Sequence, residues 1–159
     1  MRKGDILLIN YFFDPIGWLI KWVTHSKWNH IAFALNEFVV IEGTGRGVKT
    51  THLSKYLDKR WFTIKLIRFK DLSKTKINKL AIDLVSQRTK TPYWKFFISY
   101  FLVAFGCKPL CTNCSLILYN ALKRQNHGIK MRNNVFINPE DFNSYDKAID
   151  ITDQLPIGA

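Results

Sequence analysis

The chain has 159 residues, with 24 Lys and Arg against 12 Asp and Glu, and it is 47% hydrophobic and 14% aromatic. That length suits one domain burying about two thirds of its unfolded surface, and the apolar fraction excludes wholesale disorder. A formal charge of +12 favours polyanionic surroundings such as nucleic acid, anionic lipid or an acidic cell-wall polymer, without choosing among them.

Met1-Arg2-Lys3 looks like the charged start of a signal peptide, but Asp5 interrupts the apolar stretch and no small-residue cleavage site follows, so a cytoplasmic location is expected. Asp5-Ile-Leu-Leu-Ile9 reads as a short buried strand, and Pro15 to Val23 as a helix whose proline suits a first turn. His30 to Leu35 and Phe38 to Glu42 are β-rich runs separated by Asn36-Glu37, which reads as a hairpin although the turn lacks glycine. Gly43-Thr-Gly-Arg-Gly47 is a tight-turn run. It is a weak match to a phosphate loop, because no helix carrying Lys-Ser or Lys-Thr follows. Trp61 to Phe69 is the next strand. A helix from Ser73 to Gln87 follows, capped by Ser73, with Ile77, Leu80, Ala81, Leu84 and Val85 facing inward and Lys74, Lys76, Lys79 and Asp83 falling elsewhere. Pro92 opens an aromatic-rich segment reaching Phe105. The longest uncharged apolar run, Phe96 to Cys107, is about twelve residues, well short of the roughly twenty that a spanning helix needs. A last helix is expected from Cys114 to Arg124, stopped before Gly128. Residues 1–159 thus read as a single α+β domain.

Cys107, Cys111 and Cys114 lie close together in a chain without a recognisable export signal, which argues for reduced thiols rather than a disulfide scaffold. Cys114 falls in the first turn of an apolar helix. There the free N–H groups and the positive end of the dipole stabilise a thiolate, and nearby amides suit a developing oxyanion. The same thiol also reads as a small buried hydrophobe. A thiolate nucleophile needs an imidazole, and the imidazole needs a polar group to orient it. Among His25, His30, His52 and His127, only His30 opens a strand and is followed on the return strand by a carboxylate, Glu42. A turn centred on Asn36 would set the two directly opposite, with Cβ atoms roughly 5 Å apart. A two-residue turn would put them on opposite faces, so an odd-numbered loop or a bulge is expected. Singly, each also reads as a satisfied strand histidine and a solvated hairpin end.

Gly4-Asp5-Ile-Leu-Leu, Trp28-Asn29-His30-Ile-Ala, Val40-Ile41-Glu42 running into Gly45-Arg46-Gly47-Val48, and Asn113-Cys114-Ser115-Leu-Ile together resemble the permuted NlpC-type papain-like cysteine hydrolases. The nearest branch is the YiiX/YebB-like group, related to the lecithin:retinol acyltransferase proteins. The resemblance runs in order from Gly4 to about Leu122, and Asn138-Pro139-Glu-Asp-Phe142 is similar to a Pro-centred segment that often follows. It implies a circularly permuted papain-like fold with an antiparallel sheet packed against helices. It further implies Cys114 as nucleophile, His30 as general base and acid, and Glu42 as orienter. Apart from the resemblance, Trp28 and Tyr93, the latter just past Pro92, are candidates to line the substrate cleft, although Tyr93 also reads as a core aromatic, the commoner role.

Cys111 and Cys114 also form a CxxC pair, which suits a redox couple or half a zinc site. Completing a zinc site would require two more ligands, and Cys107 and His127 are poorly spaced for it, so neither metal nor cofactor is expected. Cys111 is the rival nucleophile, although it precedes the helix and would lose the dipole's help. The expected chemistry is attack on an amide, ester or thioester carbonyl through a thioester acyl-enzyme, with a cell-wall peptide or a lipid acyl chain as substrate. Peripheral contact with an anionic membrane fits the charge and the rings. The alternative is a non-catalytic basic module binding nucleic acid or anionic membrane.

Overall fold

The structure, a computed structural model, describes residues 1–44, 47–87, 98, 102, 114–130 and 137–155. Its strands are β1 (Ile6–Tyr11), β2 (His30–Ala34), β3 (Val39–Thr44), β4 (Gly47–His52), β5 (Phe62–Phe69) and β6 (Ala148–Asp150). Its helices are α1 (Pro15–Thr24), α2 (Lys74–Ser86), α3 (Cys114–Arg124) and α4 (Pro139–Asn143), and short 3-10 turns cover Leu53–Tyr56 and Thr152–Gln154.

The strands form one sheet in the order β4-β3-β2-β1-β5-β6, every neighbouring pair antiparallel. Both faces of its centre are covered. Ile6, Leu8, Ile31, Phe33, Ile41 and Ile67 pack against Leu80 and Leu84 of α2 and Ile117, Leu118 and Leu122 of α3. Leu7, Ile9, Ala32, Val40 and Leu66 pack on the other side against Leu53, Tyr56, Ile151 and Leu155. Strands buried on both faces read as continuous apolar runs rather than alternating ones, and this is why residues 5–9 and 30–35 were legible. Strands β4 and β6 were not anticipated. Both are edge strands, and β4 shows only Val48, Thr50 and Thr51 as β-branched signals, interrupted by Lys49 and ended by His52.

Ser73 caps α2, its hydroxyl accepting from the Lys76 N–H. Leu80, Ala81 and Leu84 are buried as expected and Ile77 packs partly, but Val85 is exposed, because the stripe meeting the core narrows to those three positions. Helix α3 spans Cys114–Arg124 and stops before Gly128, as expected, but the residue that turns the chain is Asn126 and not the glycine. Asn126 takes a left-handed conformation (φ 53°) and the His127 N–H returns to the Leu122 carbonyl at 3.1 Å, closing a Schellman-type turn. A Cβ on Gly128 would meet nothing within 4 Å, so that glycine is not required there. Asn126→Val is therefore expected to lower stability by about 1–2 kcal/mol in a urea melt, a loss that Gly128→Ala should not reproduce. Asn138 caps α4 through a capping box with Asp141, as its place before Pro139 suggests. No helix among the described residues is long and apolar enough to cross a membrane.

Candidate active site

The β2–β3 hairpin sets the first two side chains. Its turn needs no glycine because the Asn36 carboxamide oxygen accepts the N–H groups of Phe38 (2.9 Å) and Val39 (2.8 Å). The pairs Ala34↔Val40, Phe33↔Ile41 and Ala32↔Glu42 centre the turn on Glu37. The loop is odd-numbered, so His30 and Glu42 share a face as expected. They are not directly opposite, however: Glu42 faces Ala32, and the histidine stands two positions further along β2. The turn's centre lies one residue later than Asn36, and that shifts the register by two. Diagonal neighbours of this kind remain within reach of long side chains, and His30 Nε2 meets Glu42 Oε2 at 2.5 Å.

Glu42 is almost fully buried, at 3% exposure. The Tyr56 hydroxyl donates to its Oε2 (2.6 Å) and the Thr51 hydroxyl to its Oε1 (2.5 Å), while the ammonium groups of Lys49 and Lys55 stand 3.7 and 4.0 Å from Oε1. Burial alone would raise its pKa. The bond and charge of His30, with Thr51 and Tyr56, outweigh burial and hold the carboxyl below its ordinary range. Burial and the Glu42 charge push the Tyr56 phenol well up, so it stays a donor.

Cys114 opens α3 and is buried in the helix-side core. The close approach of α3 to β3 depends on Gly43, which sits within the strand. A Cβ there would lie 2.5 Å from Ile117 Cδ1 and 3.2 Å from Cys114 Cα. Read from sequence as turn chemistry, Gly43 instead makes room for the helix. Gly43→Ala should cost about 1–3 kcal/mol by overpacking and slow alkylation of Cys114, both measurable on one purified variant.

The pairing of β2 with β3 stops at Ala32↔Glu42. Odd-numbered residues of β2 aim their N–H groups toward β3, as the Leu35 N–H bonded to Val39 O shows. Past the last pair, the Ile31 N–H turns to the Cys114 thiol. The thiol also bonds to the His30 imidazole, and since Nε2 is held by Glu42, Nδ1 is the nitrogen left to face sulfur. Burial would raise the thiol's pKa, but the His30 charge, their hydrogen bond and the Ile31 N–H bring it below its ordinary value. Burial pulls His30 down, yet Cys114 and Glu42 on its two sides raise it to about 10. A thiolate–imidazolium pair results, backed by a carboxylate.

Trp28 is a core residue, in the same helix-side cluster as Cys114, with the Lys27 ammonium 5.5 Å from its ring. Tyr93, Cys107 and Cys111 lie outside the described residues. Thr51, Tyr56 and the Ile31 amide were not anticipated: Thr51 belongs to the unrecognised β4, Tyr56 to a 3-10 turn with no periodic signature, and a backbone N–H carries no sequence signal. His127 stands apart from this centre, 3.7 Å from Asp71 Oδ2. Among the described residues no group of three or more His, Cys, Asp or Glu is arranged to hold a metal.

These elements define an α+β domain with a buried Cys–His–Glu line at the junction of a split hairpin and a helix start. No family model matches the chain, and no curated protein matches it. Among solved structures, its fold is similar to that of the metalloprotein YiiX from Escherichia coli O157:H7, with a TM-score of 0.69 and 16% identity over 94% of this chain and 96% of that one. The chain therefore has a YiiX-like fold, a six-stranded antiparallel sheet with helices.

Proposed function

We propose that the protein is a permuted NlpC-type, papain-like cysteine hydrolase or acyltransferase acting through a thioester on an amide, ester or thioester carbonyl. One observation carries this reading: His30 is bonded to the helix-start thiol of Cys114 and, through Nε2, to the buried carboxylate of Glu42.

In this mechanism the Cys114 thiolate attacks the acyl carbon. The developing oxyanion lies near the first turn of α3, whose N–H groups have no intrahelical acceptor. The His30 imidazolium gives its proton to the leaving amine or alkoxide as the tetrahedral intermediate collapses to the thioester. Neutral His30 then takes a proton from water or another acceptor, which releases the acyl group and restores the thiolate. Glu42, fixed by Thr51 and Tyr56, keeps the ring oriented and its charged form favoured. The structural neighbour is a metalloprotein, but in this chain Cys114 and Glu42 bind opposite sides of one imidazole instead of converging on a point, and no step here uses a metal.

Iodoacetamide labelling across pH, with the adduct mapped by mass spectrometry, tests the reading. Cys114 should alkylate well below the pH at which a free thiol reacts, because the reactive species is the thiolate. Acylation by an amide or alkyl ester, whose leaving group needs the His30 proton, should fade on the alkaline side near pH about 10. Preferential labelling of Cys111, or an ordinary thiol profile at Cys114, would refute the assignment.

A further inference from the structure

Helix α1 is apolar where a helix on a globular surface is usually polar. Gly17, Ile20 and Thr24 are buried, and Lys21 is its only charged residue. Four positions apart on its outer face, Trp18 and Trp22 are 68% and 66% exposed. Just before the helix, Phe13 is 74% exposed and stands edge-on to Trp61, itself 50% exposed, with ring centroids 5.3 Å apart. Single exposed rings are ordinary, but a group of them marks an interaction surface. In the sequence, Lys21 and Lys27 lie on the same segment as the two indoles and Lys59 lies two positions before Trp61, while Asp14 follows Phe13. Of the nearby carboxylates, Asp58 is held by Arg60 at 2.8 Å.

We propose that the outer face of α1, with Phe13 and Trp61, docks on an anionic phospholipid bilayer. Trp and Phe beside Lys and Arg are the chemistry of a bilayer interface, the rings lodging at headgroup level and the cations meeting lipid phosphates. A second copy of the chain is disfavoured as occupant, because each copy carries +12 and like charges repel. The surface lies at the working end of the sheet. Strand β1 leaves it at Tyr11, β2 enters it at His30, and the Tyr11 ring is 6.3 Å from the imidazole. Docking does not depend on Cys114 chemistry, but it would bring the acyl esters of membrane lipids to the His30 end of the molecule.

The experiment is sedimentation of the full chain with vesicles of phosphatidylcholine and phosphatidylglycerol, and with phosphatidylcholine alone. Wild type should bind the mixed vesicles in a salt-sensitive way. Replacing two half-inserted indoles, as in the double variant W18S and W22S, should weaken binding on the order of a hundredfold. Cys114→Ala should bind like wild type, so loss of the enzymatic reading would leave this result standing. Tryptophan fluorescence gives a readout on the unaltered protein: a blue shift on adding mixed vesicles, with quenching by brominated lipid. No binding by wild type, equal binding by the double variant, or a wild-type dimer that the double variant abolishes would each overturn the proposal.

Discussion

Cys114→Ala is expected to reduce turnover of an activated ester by at least about a thousandfold, to whatever positioning and backbone dipoles alone provide. The same variant should move a second observable. His30 is held near about 10 chiefly by the Cys114 charge and hydrogen bond acting against burial, so removing the sulfur should lower the imidazole's titration midpoint in an NMR experiment. A merely structural cysteine would produce the second effect only if it were ionised. Retained turnover in Cys114→Ala, together with loss in Cys111→Ala, would transfer the nucleophile to the earlier thiol.

Glu42→Ala should destabilise the fold by about 3–5 kcal/mol, because it strands a buried imidazolium and two hydroxyls that share one acceptor. That is a large part of the 5–15 kcal/mol typical of a domain. The Glu42→Gln variant separates charge from shape. In wild type the carboxyl is depressed from 4.5 in the folded state, so its contribution is complete above that pH and drains away as pH falls, since the unfolded chain then takes up a proton the folded one refuses. Urea midpoints of wild type should fall in acid, and those of Glu42→Gln should fall less.

The thiol and imidazole act on stability in opposite senses. His30 is raised from 6.5, so its contribution is complete below that pH and is lost as pH climbs toward about 10. Cys114 is depressed from 9.0, so its contribution is complete above that value and declines below it. Between 6.5 and 9.0 the folded pair and the unfolded chain each hold one proton, and stability should be level. A steep slope across that window would contradict a thiolate–imidazolium ground state.

Much of the local structure was readable because it depends on near neighbours. Apolar runs gave β1 and β2, Ser73 announced the start of α2, and the polar residues before Cys114 placed it at the head of α3. Parity put His30 and Glu42 on one face, since side chains alternate whatever the register. The register itself is not legible in the sequence, because a turn closed by the Asn36 carboxamide has no glycine to mark its centre. The carboxylate's other partners were not readable. Thr51 lies on an edge strand with a weak pattern, and Tyr56 sits in a single 3-10 turn.

What the amino-acid order decides alone is a set of short-range propensities: which segments extend, which coil, where a helix begins, and a surplus of positive charge. Folding decides the rest. Burying both faces of the sheet brings β3 under α3, with Gly43 allowing close contact, and the opening of β2 from β3 turns an amide and an imidazole toward sulfur. Those contacts join residues distant in the chain, and they arise from the global removal of apolar surface from water, a quantity that no local stretch of sequence carries.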